Sequence, residues 1–287
     1  LNYIILPDHL RAIGGNAFYR CRYLTGSLVI PEGVTEIRRG AFNGCSGLNG
    51  TLTLPSTLKK LGNNWNDDSA DEGTDYYGGV FQGCSNLTGN LVLPNNLELI
   101  RGYCFSGCSG FYGELRLPEK LKYMGEHAFQ GCPGLTGSLT IPQGISSIPS
   151  EAFSECGFNG TLTLHDGITN IGNAAFNNCH FKGELHLPKN LKIISNHAFC
   201  NDDFSGELKI PSDVEHIGNS AFANNWRITG ILNIPEGVLS IGEDAFTGCK
   251  MLEGVIFPES METIRQRAFI NCFGIGSIVC RGNMPPR

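Results

Sequence analysis

The chain has 287 residues, 17% of them charged, 38 glycines and a formal net charge of −6. That length would hold two ordinary globular domains, but the acidic balance argues against nucleic acid or an anionic membrane surface as partner, since both select a basic face. No apolar run approaches the ~20 residues that span a bilayer, so direct membrane insertion is not expected.

Taken from the N-terminus, the chain keeps returning to one phrase. The first residues carry no signal-peptide or lipidation pattern. Because the chain opens inside a repeat unit, we read it as a processed or trimmed piece. A phenylalanine recurs at Phe18, Phe42, Phe81, Phe105, Phe129, Phe153, Phe176, Phe199, Phe222, Phe246 and Phe269, and nine of the ten intervals are 23 or 24 residues. Eleven residues before the phenylalanine stands Pro7, Pro31, Pro94, Pro118, Pro142, Pro188, Pro211, Pro235 or Pro258, with His165 once in that place. The odd interval, 39 residues from Phe42 to Phe81, holds an insertion of 15 residues, Asn63 to Tyr77.

Within each unit the first element is a short strand. Pairs such as Leu28/Ile30, Leu52/Leu54 and Val255/Phe257 alternate with period two and present one apolar face. The proline that follows stops the strand by removing a donor. Further apolar positions three and six residues after the proline predict an irregular or short second extended piece. The Ala-Phe step reads as a tight turn or a single 3₁₀ turn. A closing glycine in every unit, from Gly26 to Gly276, suits a positive-φ turn into the next strand. A unit this short cannot bury its own apolar side, but stacked on a neighbour it can. The expectation is one right-handed solenoid domain over residues 1–287 with about eleven units. Each unit gives one strand to a parallel sheet and leaves an irregular convex side.

The full phrase, as in "LRLPEKLKYMGEHAFQGC" from Leu115 to Cys132, resembles the BspA-like bacterial leucine-rich repeat family along essentially the whole chain. The closing stretch Ile278–Arg287, ending in Pro285-Pro286, is similar to the half unit that ends such proteins. The resemblance implies an extracellular or cell-surface bacterial protein concerned with adhesion.

Nine of the twelve cysteines fall three residues after the phenylalanine, with Asp202 and Asn225 in that slot in two units. Equivalent side chains of stacked units point the same way, which disfavours disulfides. Metal-ligand spacing is absent. The slot reads as buried thiols with a weak donor, replaceable by another polar group at a turn.

The histidines form no ligand or catalytic spacing, and no nucleophile or phosphate-loop motif occurs. The chain therefore reads as non-enzymatic, with no cofactor and no metal. Two surfaces remain for binding. One is the outward side of the strands, mostly Thr, Ser and Val, where Glu114, Arg116, Glu184, His186, Glu207 and Lys209 are the charged exceptions. The other is the insertion, with Asp67, Asp68, Asp71, Glu72 and Asp75 beside Trp65, Tyr76 and Tyr77. Long loops on rigid scaffolds often bind. A calcium loop is out of register there, because Glu72 stands where glycine is needed and Gly78 where an acid is needed. The expected function is recognition of a protein or glycan on a host matrix or another cell. The alternative is an architectural stalk or accessory module without its own ligand.

Overall fold

A computed structural model describes residues 2–63 and 78–281. The chain is a parallel β-solenoid of about eleven turns, with no helix among the described residues. It divides into two compact units. The first is Leu1–Gly137 with Pro142–Ile145 and Ala152–Gly157; the second is Ser138–Ile141 and Ser146–Glu151 with Phe158–Arg287.

Each unit is built on a parallel ladder that lies beyond the proline, and so is not the ladder expected from the leucine pairs. In the first unit Ala12–Ile13, Glu36–Arg38, Lys60–Asn63, Leu99–Ile100 and Tyr123–Met124 pair in that order. The register stacks Ile13, Ile37, Leu61, Ile100 and Met124 on one another. In the second unit six strands from Ser147–Ile148 to Thr263–Ile264 repeat the arrangement. Most coils therefore give strands to two ladders. The one expected to be irregular is the more continuous, because its inward residue is an unbroken column of Ile, Leu or Met.

The leucine-pair segments form shorter ladders. Leu28–Val29 pairs with Leu52–Thr53 in the first unit, and Leu139–Thr140 with Leu162–Thr163 in the second. In the last coils of the second unit this segment grows into Asp203–Glu207, Arg227–Asn233, Leu252–Phe257 and Ser277–Cys280. In the first three of these the closing glycine, Gly206, Gly230 or Gly254, lies inside the strand, and the register shifts between Gly230 and Ile231.

The Ala-Phe corner contains no 3₁₀ helix. It is a turn bracketed by left-handed residues two before and two after the phenylalanine. In the first unit these include Asn16, Tyr103 and His127 before it, and Arg20, Gly44, Gly107 and Glu155 after it. In the second they include Ala174, His197 and Arg267, then Asn178, Asn201, Asn224 and Asn271. Neighbouring corners are joined by backbone bonds. Phe105 N–H donates to Ala128 O at 2.8 Å in the first unit, and Phe199 N–H to Ala221 O at 2.8 Å in the second. The buried alanines leave room for that approach.

Inside, the phenylalanines stack ring on ring. From Phe18 through Phe42, Phe81, Phe105 and Phe129 to Phe153, successive centroids in the first unit are 5.1, 5.6, 5.4, 5.3 and 5.6 Å apart. In the second unit Phe176, Phe199, Phe222, Phe246 and Phe269 continue the pattern at 5.6, 5.4, 5.3 and 5.2 Å. Phe158, Phe181 and Phe204 form a second stack at 5.1 and 6.0 Å. The insertion does not break the phase: Phe42 and Phe81 remain stacked at 5.6 Å with 7° between ring planes.

Candidate functional site

Alternation places the residues between and before the core leucines on the outward face, and the parallel register then brings equivalent residues of successive coils side by side. In the second unit Glu184, His186, Glu207 and Lys209 line one cleft of about 600 Å³ together with Asp166, Lys189 and Thr229. His186 Nε2 lies 3.6 Å from Glu184 Oε2, and Lys189 Nζ lies 3.2 Å from Asp166 Oδ2. The Lys189 backbone N–H also donates to Asp166 Oδ1 at 3.0 Å. That N–H, reinforced by the Lys189 side chain, holds the Asp166 carboxyl below the usual carboxylate range. Glu207 and Lys209 make no ion pair with any described residue.

The closing glycines give this face its shape. Gly206 has φ of 81°, and a Cβ built on it would stand 2.9 Å from Glu184 Cγ; Gly230 has the same relation to Glu207 Cγ at 2.9 Å. Without side chains at these positions, the two glutamates lie along the neighbouring coil. The result is an acidic column beside a basic one, with no Phe, Tyr or Trp among the lining residues.

In the first unit Glu114 and Arg116 line a separate cleft of about 640 Å³ with Asn90, Val92, Asn95 and Glu119. Arg116 NH2 lies 3.3 Å from Glu114 Oε2, both well exposed. A further cleft of about 500 Å³ is formed by Ile5, Val29, Ser27, Asp8 and Glu32. The insertion residues Trp65, Asp67, Asp68, Asp71, Glu72, Asp75, Tyr76 and Tyr77 lie outside the described residues.

Sequence reasoning missed Asp166 and Lys189. They follow the proline column, where a carboxylate caps an N–H of the next coil. Glu32 does so for Ser56 in the first unit at 3.0 Å, and Glu236 for Glu259 in the second at 3.2 Å. The recurring acid at this column, in Glu32, Asp166 and Glu236, was the available signal.

All twelve cysteines are free thiols. In the first unit the column donates S–H to the phenylalanine carbonyl one coil back: Cys45 to Phe18 at 3.0 Å, Cys84 to Phe42 at 3.1 Å, Cys108 to Phe81 at 3.0 Å and Cys156 to Phe129 at 3.1 Å. Burial pushes Cys84 and Cys132 up to about 12 and Cys45 to about 11. The thiolate is the nucleophile, so these groups are inert. We expect iodoacetamide to label exposed Cys280 and half-buried Cys21 in the native protein, and the other ten only after unfolding. Peptide mass spectrometry checks this; rapid native labelling of Cys84 or Cys132 would contradict the burial. Among the described residues no group of three or more His, Cys, Asp or Glu is placed to hold a metal ion.

The stacked coils, leucine ladders and phenylalanine stack define a leucine-rich repeat solenoid. The model of the BspA type leucine rich repeat region matches six copies, over residues 1–68, 75–205 and 169–285. The chain belongs to that family. Among solved structures, a leucine-rich repeat protein from Bacteroides ovatus superposes with a TM-score of 0.67 at 25% identity, covering 89% of this chain and 63% of that one. A leucine rich cell surface protein from Faecalibacterium prausnitzii matches at 22% identity and a TM-score of 0.50, covering 99% of this chain and 80% of that one. This chain thus spans less than two thirds of the Bacteroides protein. No curated protein matches it.

Proposed function

We propose that the chain is a non-enzymatic binding module at a bacterial cell surface, and that it recognises a protein partner on another cell or matrix through the strand face of its second unit. The observation carrying this is the assembly of Glu184, His186, Glu207 and Lys209 with Asp166 and Lys189 in one cleft, where Glu207 and Lys209 have no ion-pair partner among the described residues. Acidic Glu184 and Glu207 beside Lys209 match a protein surface carrying the complementary pattern. A glycan is the less favoured ligand, because the cleft offers no aromatic ring for a sugar to stack on. Family membership and the cell-surface description of the Faecalibacterium protein support the location.

The test is the double reversal Glu207→Lys with Lys209→Glu. It leaves the core untouched and inverts the pattern. Against panels of matrix proteins and intact cells we expect affinity to fall about 10-fold or more, with the larger share of any rim-charge loss in on-rate and salt dependence. Binding that survives both this change and reversal at Glu114 and Arg116 sinks the strand-face reading, and a parent protein that binds nothing in either panel leaves an architectural role.

A further inference from the structure

In the second unit three residues that stand three after the stacked phenylalanine give a hydrogen to a phenylalanine carbonyl of the coil before. Cys249 donates S–H to Phe222 O at 3.4 Å, and Cys272 to Phe246 O at 3.0 Å. Asn225 keeps the donor in amide form, with Nδ2 2.7 Å from Phe199 O and 3.1 Å from Phe222 O. Asp202 occupies the same slot one coil earlier and is only 2% exposed. As a carboxylate it has no hydrogen to give. Its Oδ1 accepts the Phe181 N–H at 3.1 Å, while its Oδ2 is buried with no partner among the described residues.

Carboxyl and carboxamide have the same shape, so Asn225 shows what the second atom in this slot reaches. The nearby charges do not rescue an anion. From the coil before, backbone N–H groups of Phe181, Cys179 and His180 favour the anion, but no cation among the described residues acts on it; Cys200 and Asp203 lie on its own coil, and uncharged Asn225 follows. The guanidinium of Arg227 lies 4.5 Å over the Trp226 ring, and the indole N–H of Trp226 binds Asp203.

We propose that Asp202 is carried in the folded protein as the neutral carboxylic acid, its Oδ2–H donating to the carbonyl of Phe176 as thiols and Asn225 do elsewhere in the column, so that this coil loosens as pH rises. Burial pushes the carboxyl well above its ordinary range, against the opposing backbone N–H groups of Phe181, Cys179 and His180 and with a further upward push from Asp203. An unfolded aspartate titrates near 3.9, so above that value the folded protein holds one proton more than the unfolded chain. The stabilisation is complete below the unfolded value and is lost as pH climbs toward the raised folded one.

The experiment uses the full chain, labelled with ¹³C at aspartate carboxyls, and its Asp202→Asn variant. At about pH 5.5, more than one unit above the unfolded value, the infrared spectrum of the parent should contain a protonated-carboxyl band that Asp202→Asn lacks. The unfolding equilibrium constant of the parent divided by that of the variant should rise about 10-fold per pH unit over the same range. Asp202→Cys, which restores the donor of the other coils, should abolish the same slope and serves if the asparagine variant fails to fold. Absence of the band in the parent, or a ratio flat from about pH 5 to 8, overturns the proposal.

Discussion

Replacing Phe105 with alanine is expected to destabilise the first unit by about 4 kcal/mol. The ring is fully buried, stacked 5.4 Å from Phe81 and 5.3 Å from Phe129, and met edge-on by Phe111 at 6.4 Å. Truncation removes the transfer free energy of the side chain and leaves a cavity that the backbone cannot close. The corners above and below are held at fixed spacing by Phe81 N–H to Cys104 O and Phe105 N–H to Ala128 O, both 2.8 Å. Each aromatic pair adds about 0.5–1.5 kcal/mol beyond its buried area. Repeat stability is a sum of units and nearest-neighbour interfaces, so the loss falls on two interfaces at once. Denaturant unfolding should show a lower midpoint, and hydrogen exchange should accelerate first at the corners of Phe81, Phe105 and Phe129. A loss under about 1 kcal/mol would mean that the ring stack is not a principal support.

Replacing Asn225 with valine is expected to cost about 3 kcal/mol, since an unsatisfied buried polar group costs roughly 1–3 kcal/mol. Valine fills much of the space but leaves the Phe199 carbonyl without its amide donor, while Phe222 O keeps the Asn225 backbone N–H and the Cys249 thiol. Asn225→Cys should lose much less, because the column already works with thiols at Cys249 and Cys272. The difference between the variants isolates the donor from the volume. Equal stability of the valine and cysteine proteins in urea would refute the hydrogen-bond role of the column.

The repeat was open to sequence reading because stacking makes equal letters neighbours, so the Phe, Leu and Cys columns carry the spatial order directly. The principal ladder was less visible. Its two- and three-residue strands bury at most one residue, such as Ile37 or Ile217, and one apolar letter cannot display period two. Its outward residues differ from coil to coil, with Glu36, Lys60, Tyr123 and His216 among them. The left-handed corners were half visible. Gly44, Gly107, Asn178 and Asn224 announce the position after the phenylalanine, but Tyr103, His127 and Arg267 disguise the position before it. On the candidate face, period two was enough to point Glu184, His186, Glu207 and Lys209 outward. Asp166 and Lys189 enter the same cleft through a turn contact between coils, which alternation does not encode. Asp202 looked like a tolerated substitute in a polar slot; what distinguishes it is an orphaned Oδ2 where Asn225 has a donating Nδ2.

The undisturbed contact between Phe42 and Phe81 across 39 residues separates chain length from architecture at that corner. Closing a longer excursion costs only about 0.6 kcal/mol per doubling. New segments spliced in after Asn63 would therefore change what the molecule displays while leaving its spine unaltered, which makes this junction a natural docking port for engineered cargo and a cheap place for lineages to diversify.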